Sequence, residues 1–186
     1  MTAKLGCQVK ITKILVRNLE KASGKVDDPS VLTTDWADIE GDPSIDIVIE
    51  LIGGIEPART YILAALKAGK NVVTANKDLI AVHGKRDPGN CQAAQKDFLF
   101  EAAVAGGIPI ISPLKNSLEA NHVTEVMGIV NGTTNFILTK MSQEGMEFSD
   151  ALALATELGY AEADPTADIE GIDAGRKVAI PCISCL

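Results

Sequence analysis

The feature that most constrains this 186-residue chain is a rhythm in its first half, where short apolar runs alternate with helix-like stretches and glycines stand at the junctions. Ile45 to Ile52 is a short, largely apolar run ended by Gly53 and Gly54. A strand buried on both faces reads this way, because helices cover a parallel sheet above and below. The stretch that follows is punctuated as a helix. Pro57 suits its first turn, Ile62, Leu63 and Leu66 recur at helical spacing, and Gly69 sits where such a helix stops. Asn71 to Thr74 reads as the next strand, part of Leu79 to Lys96 as a second helix, and Phe98 to Val104 as another strand. Val9 to Val16 reads as the earliest strand. Repeated strand, crossover helix and strand predict an α/β fold built on a parallel sheet.

Beyond Pro109 the texture changes, and a domain boundary is expected near Pro109 to Pro113, dividing residues 1–110 from 111–186. Leu114 to Ala120 reads as helix, Val123 to Val130 as strand, and the segment after Asn131 as helix. Phe148 to Leu158 is a further helix, with Ser149 as its cap and Gly159 as its stop. Within Arg86 to Cys91, Pro88 and Gly89 interrupt any helix that runs through.

A formal net charge of −8 argues against nucleic acid as a partner, since that affinity comes from Lys and Arg neutralising phosphates. The longest apolar stretch, around Phe98 to Leu114, is broken by Glu101, Gly106, Gly107, Pro109 and Pro113, so no membrane-spanning helix is expected there, and the N-terminus lacks a signal peptide's apolar centre. Cys7, Cys91, Cys182 and Cys185 are too few and scattered for a disulfide scaffold, which points to a reducing cytoplasm. Cys182 and Cys185 form a C-x-x-C with no second Cys or His pair to complete four metal ligands, and read as incidental residues near a chain end.

The densest chemistry lies in Gly159 to Thr166 (GYAEADPT) and the stretch through Asp168, Glu170, Asp173 and Lys177. If Ile169 to Ile180 is helical, Asp173 and Lys177 are four apart and share a face, where carboxylate and ammonium either reach a common ligand or form a solvated ion pair. Lys77 follows the strand ending at Thr74, hence the carboxyl edge of the sheet, where open parallel sheets place ligands; a surface lysine is the plain alternative. Gly53 and Gly54 hold the equivalent edge position and let a ligand approach backbone. Arg17, after the first strand, suits a ribose 2′-phosphate, or it is simply solvated with Lys21. Asn131 to Asn135 (NGTTN) reads as a turn into a helix capped by Thr133 or Thr134, with Gly132 giving tight backbone geometry; Gly132 and Thr133 face a ligand, or they only connect strand to helix. His83 and His122 are isolated and are given no role.

The chain resembles the homoserine dehydrogenases. Gly159 to Thr166 with its following helix is similar to that family's signature region, Val73 to Lys77 (VTANK) to its cofactor-side lysine motif, Glu101 to Ile111 (EAAVAGGIPII) to its hinge, and NGTTN to its substrate loop, in family order from Cys7 to about Ile180. The resemblance implies an incomplete Rossmann-type sheet in 1–110, a partial α+β substrate domain in 111–186, and interconversion of L-homoserine and L-aspartate 4-semialdehyde in threonine and methionine biosynthesis. It implies Lys177 as general acid and Lys77 as a second catalytic lysine beside the nicotinamide. Glu162 and Asp173 would bind the substrate's amino group, with Gly132 and Thr133 also on the substrate. Arg17, Gly53, Gly54 and Lys77 would hold NADP, with NAD as the alternative. A monovalent cation such as sodium is implied at Glu101, Val104, Gly106 and Ile108, where hard oxygen ligands suit it. A homo-oligomer is expected, with a small-molecule substrate.

Two departures set further expectations. No glycine-rich turn precedes Val9, so the phosphate cradle and the first, central strand are expected to be missing, leaving neighbouring strands with unpaired edges and bare apolar surface. The tail Pro181 to Leu186 is unlike the family, so truncation at both ends is expected, with little activity of the chain alone. The alternatives are a noncatalytic remnant that dimerises or binds a partner, and another Rossmann-type dehydrogenase of small carbonyl compounds.

Overall fold

The computed structural model describes residues 2–84 and 95–185. A short helix α1 (Thr2–Leu5) precedes β1 (Ile14–Leu15), α2 (Leu19–Ser23), a 3₁₀ turn (Pro29–Val31), β2 (Leu32–Thr33) and α3 (Ala37–Glu40). Then come β3 (Ile47–Glu50), α4 (Ala58–Lys67), β4 (Asn71–Thr74), α5 (Lys77–His83) and β5 (Phe98–Leu99). β1 pairs with β2, and β3, β4 and β5 form a three-stranded sheet in that order, every pairing parallel. The α/β class with parallel sheets is therefore as the alternation of apolar runs and helices predicts.

The register assigns the faces. Val48, Val72 and Phe98 lie side by side across the sheet, and Ile49, Val73 and Leu99 form the adjacent row, which the two-residue period turns to the opposite face. Helix α4 covers the first face: Ile62, Ala65 and Leu66 join Val72, Leu79 and Ile80 in the main core, with Val48 and Phe98 packed against it. Nothing among the described residues covers the second to the same degree. Ile47, Ile49 and Leu51 are exposed along β3, Ile49 at 65%, and Leu99 of β5 is exposed as well. Among the described residues β3 is thus an edge strand with a bare apolar row.

Several elements are shorter than their sequence patterns. The Val9 to Val16 strand reduces to Ile14–Leu15, because β2 offers only Leu32 and Thr33 as partners and Val9 and Ile11 stay exposed. The Phe98 to Val104 strand ends at Leu99, after which the chain turns through a 3₁₀ turn (Glu101–Ala103). The helix expected within Leu79 to Lys96 is α5, capped by Asn76 and ending at Gly84. Arg86 to Cys91, and the side chains of Cys182 and Cys185, lie outside the described residues.

In the second half, Leu114 to Ala120 is a π-helical turn (Pro113–Ser117), not an α-helix, and Val123 to Val130 lies in no strand, with Met127 and Ile129 exposed. An apolar alternation forms a strand only where a neighbour accepts its backbone groups. Helices α6 (Gly132–Glu144) and α7 (Phe148–Glu157) pack as a hairpin around Ile137, Ala151, Ala155 and Ala161, turning at left-handed Gly145. Gly159, also left-handed, ends α7 as expected, whereas Glu147 rather than Ser149 occupies the cap and makes no capping bond. The expected Ile169 to Ile180 helix is split at left-handed Gly171 into α8 (Thr166–Ile169) and α9 (Ile172–Cys185). Ile180 of α9 enters the core of the three-stranded sheet, so the two halves share a core. No helix among the described residues is long and apolar enough to cross a membrane.

Leu66→Ala, at a position 1% exposed, should cost about 2–5 kcal/mol in urea unfolding, whereas Ile49→Ala on the bare face should change stability by less than about 0.5 kcal/mol. Equal losses would mean that both faces are covered in solution.

Candidate functional site

Three helix starts converge on one carboxylate. The side chain of Asn76 accepts the Leu79 N–H (3.1 Å) and starts α5 immediately after β4, which places Lys77 in the first turn at the carboxyl edge of the sheet. Gly171 ends α8, so Asp173 falls in the first turn of α9 and Lys177 one turn later on the same face. Asn131 starts α6, its Oδ1 accepting the Thr134 N–H at 2.8 Å. The cap is therefore Asn131, not Thr133 or Thr134. Gly132 is not left-handed, so the tight geometry expected of it is not what the turn uses.

Asp173 is 5% exposed. Its Oδ1 accepts from Lys77 Nζ, and its Oδ2 accepts from Lys177 Nζ at 2.6 Å and from Asn131 Nδ2 at 2.9 Å. Burial opposes ionisation, but the hydrogen bonds from Lys177, Lys77 and Asn131 and the charge of Lys177 outweigh it, holding the carboxyl well below the usual carboxylate range. The helix field adds to this, since an anion in the first turn of α9 meets the positive end of its dipole. Lys77 occupies the same unfavourable end of α5, which the buried carboxylate offsets. The side chains of Lys77 and Lys177 stay 39% and 26% exposed, so two ammonium groups are presented to solvent from one buried anchor. Beside them Arg176 Nη1 bonds Asp78 Oδ1 at 2.9 Å, a second tie between α5 and α9 with the charges reversed.

The acids of the Gly159 to Thr166 region and its continuation separate by task. Asp164 accepts the Thr166 N–H and hydroxyl and shapes the turn into α8. Asp168 accepts from Asn131 Nδ2 at 2.7 Å. Glu162 is exposed and has neither a hydrogen bond nor an ion pair among the described residues, so the structure does not join it to Asp173 and Lys177. Thr133 donates its hydroxyl to the Tyr160 carbonyl (2.8 Å), and Phe136 stacks on Tyr160, so the 159–161 segment rests on α6.

On the sheet side, Gly53 and Gly54 are both left-handed, and a Cβ on either would meet open space; the backbone conformation, not crowding, requires glycine there. The loop is held by Glu50, a buried acid that sequence reasoning passed over. Its Oε1 accepts the Ile52 and Gly53 N–H groups, and its Oε2 the Thr74 hydroxyl (2.6 Å). Asn76 Nδ2 donates to the Gly54 carbonyl at 2.6 Å. Leu51, Gly53, Ala75 and Asn76 line a small cleft there, and Arg17 lines a separate one of about 320 Å³ with Leu15, Val16, Thr34, Ile52, Pro57 and Tyr61. The Arg17 cleft thus combines apolar and aromatic walls with a guanidinium.

Glu101 gathers three backbone amides. Its Oε1 accepts the Ile110 (2.6 Å) and Ile111 (2.8 Å) N–H groups and its Oε2 that of Ser112 (2.8 Å), gathering the chain after left-handed Ala105, Gly106 and Gly107. Burial raises this carboxyl, but those three amides outweigh it and leave the acid below its ordinary range. Among the described residues no three His, Cys, Asp or Glu side chains cluster as metal ligands.

Sequence reasoning left Asn131, Asp168, Asp78 and Arg176 without roles. A capping Asn-x-x-Thr marks Asn131 as a helix start, but the second use of its amide depends on α8 and α9, far along the chain.

Residues 109–185 match the family model described as homoserine dehydrogenase, and residues 1–101 that described as homoserine dehydrogenase, NAD binding domain. The chain is 52% identical over 178 residues to the homoserine dehydrogenase of Bacillus subtilis (strain 168), covering 95% of this chain and 41% of that protein. It is 51% identical over 177 residues to that of Corynebacterium glutamicum, covering 95% and 40%. A crystal structure of a homoserine dehydrogenase from Thiobacillus denitrificans superposes with a TM-score of 0.85 at 50% identity, covering 95% of this chain and 41% of that one. A hyperthermophilic archaeal homoserine dehydrogenase in complex with NADPH superposes at 0.74 with 32% identity, covering 87% and 51%. The chain thus spans about two fifths of the curated relatives it matches.

The depressed carboxyl of Asp173 sets a pH signature. A folded-state value below the unfolded one contributes stability that is complete above about pH 4 and is lost as pH falls toward the folded value. Asp173→Asn should therefore be less stable than the parent at pH 7, with the gap narrowing below about pH 4. A gap independent of pH in urea melts would show that the ion pairs do not form in solution.

Proposed function

The chain belongs to the homoserine dehydrogenase family, and from that premise we propose that it serves the interconversion of L-homoserine and L-aspartate 4-semialdehyde, with residues 1–110 on the cofactor side and 111–186 on the substrate side. The observation that carries the reading is the buried Asp173 holding Lys77 and Lys177 at the carboxyl edge of the sheet.

A reduced nicotinamide, when bound, supplies the hydride. As the semialdehyde carbon accepts it, the carbonyl π electrons pass to oxygen, and Lys177 delivers a proton there to give the alcohol; the reverse direction returns the proton to Lys177. Lys77 adds a second positive charge facing the developing oxyanion, and Asp173 holds both ammonium groups in place without reorganisation. Asp173 and Glu162 are assigned to the substrate's amino group: Glu162 is exposed with no partner among the described residues, and Asp173 Oδ1 accepts from Lys77 alone. The N–H groups at Gly132 and Thr133 open the thirteen-residue helix α6 and suit the substrate's carboxylate.

Arg17, Gly53, Gly54 and Lys77 are assigned to the cofactor, and Arg17 favours NADP over NAD because a guanidinium can pair with the 2′-phosphate. A monovalent cation is assigned to the turn of Glu101, Val104, Gly106 and Ile108, where a carboxylate and backbone carbonyls offer hard oxygen ligands. A role in threonine and methionine biosynthesis, a cytoplasmic setting and a homo-oligomer belong to the same proposal and rest on the family. A second reading, a partner-binding module, is favoured by the apolar row Ile47, Ile49 and Leu51 on an edge strand.

Titration with NADPH separates the two. The oxidoreductase reading expects saturable quenching, homoserine-dependent reduction of NADP, and a fall in turnover of roughly 10²–10⁴-fold in Lys177→Met with nucleotide binding retained. Absence of both quenching and reduction favours the partner-binding module.

A further inference from the structure

Asn131 makes four contacts from one buried side chain. Its Oδ1 accepts the Thr134 N–H and hydroxyl, both at 2.8 Å, while its Nδ2 donates to Asp168 on α8 at 2.7 Å and to Asp173 on α9 at 2.9 Å. Two acceptor sites and two N–H donors are all that a side-chain amide offers, so its capacity is spent. Helix capping alone does not call for this residue, because Ser and Asp cap as well. Neither replaces it here. Serine has a single donor on a shorter stem, and an ionised aspartate has none.

The consequence falls on Asp173. A carboxylate held only by two long, flexible lysine stems can turn about its Cβ–Cγ bond and exchange its oxygens. Asn131 is anchored by the first turn of α6 and pins Oδ2, which leaves Oδ1 to Lys77 and directs Lys177 to Oδ2. We propose that Asn131 is a positioning residue that orients the Asp173 carboxylate between the two lysines and ties the first turn of α6 to that orientation. That turn and the placement of the ammonium groups then depend on the same amide. The inference rests on reading this cluster as the reaction centre, but its test needs no turnover.

The charged groups bonded to Asp173 are Lys77 of α5 and Lys177 of its own helix; Asp168 of α8 shares the Asn131 amide with it, Asp78 and Arg176 pair with each other between α5 and α9, and the π-helical turn packed on α9 carries Lys115, which lies over Phe100. The experiment follows the Asp173 carboxyl by carbon-13 NMR against pH in the chain alone, with no nucleotide or homoserine added. Asn131→Ser and Asn131→Asp both retain a capping group for α6, and circular dichroism checks their fold. The apparent pKa of Asp173 should rise by about one pH unit in Asn131→Ser, and further in Asn131→Asp, where a third carboxylate faces Asp168 and Asp173. At neutral pH the side-chain nitrogen signals of Lys77 and Lys177 should move toward those of free lysine. An unmoved Asp173 titration in a folded variant overturns the proposal. Should both variants fail to fold, the parent decides: its two Asn131 amide protons should give separate signals slow to exchange with water, and rapid exchange overturns it. A chain that shows these shifts yet binds no NADPH refutes the oxidoreductase reading while leaving the Asn131 placement standing.

Discussion

The structure depends on a carboxylate taken out of water and given more positive partners than it needs for neutrality. Removing an acid from solvent is costly unless its oxygens are bonded, and an unpaired buried charge costs more than most pairs contribute. Asp173 meets that requirement from three elements: Lys77 at the start of α5, Asn131 at the start of α6, and Lys177 on its own helix. Those segments are 96 and 42 residues away in sequence for Lys77 and Asn131, so the bonds that satisfy Asp173 also fasten the two halves of the chain. The Arg176 to Asp78 pair and the burial of Ile180 in the first core act along the same seam. Because the partners are cations on long stems, burying the anion exposes them, and the stabilising interaction is also the one that presents the chemistry.

What was legible in the sequence followed local rules. Asn71 to Thr74, the helix after Pro57, the stop at Gly159 and the shared face of Asp173 and Lys177 all follow from period, caps and glycine conformation. What was not legible depends on partners. Val123 to Val130 has a strand's alternation and no ladder, and Val9 to Val16 pairs over only two residues. Period describes which face of a segment is apolar, but a strand also needs a second backbone, and composition cannot supply one.

The site divides the same way. Lys77, Asp173 and Lys177, singled out by type and spacing, do meet in one cluster, whereas Glu162 does not join it. The residues that hold them were not legible: Glu50, Asn76 and Asn131 look like ordinary loop and cap positions, and their second contacts appear only when distant segments meet. Glu101 shows the converse. Its place in a conspicuous motif drew attention to it as a ligand, and the structure adds that its oxygens organise three successive amides in a turn with three left-handed residues.

The bare face of the sheet and the filled site are two consequences of one arrangement. Helix α4 covers the side of β3 and β4 that carries Val48 and Val72, and the core it forms reaches α5 and α9, so among the described residues the edge that carries Lys77 is braced from that side. The opposite row, Ile47, Ile49 and Leu51, does nothing for Lys77 or Asp173 and is the least satisfied apolar surface on the strand that leads to Gly53. A parallel sheet normally buries both faces. Any partner or further segment laid on that row would therefore stiffen β3 and the loop that Glu50 holds, acting first on the glycines of the cofactor side and only through them on the lysine pair.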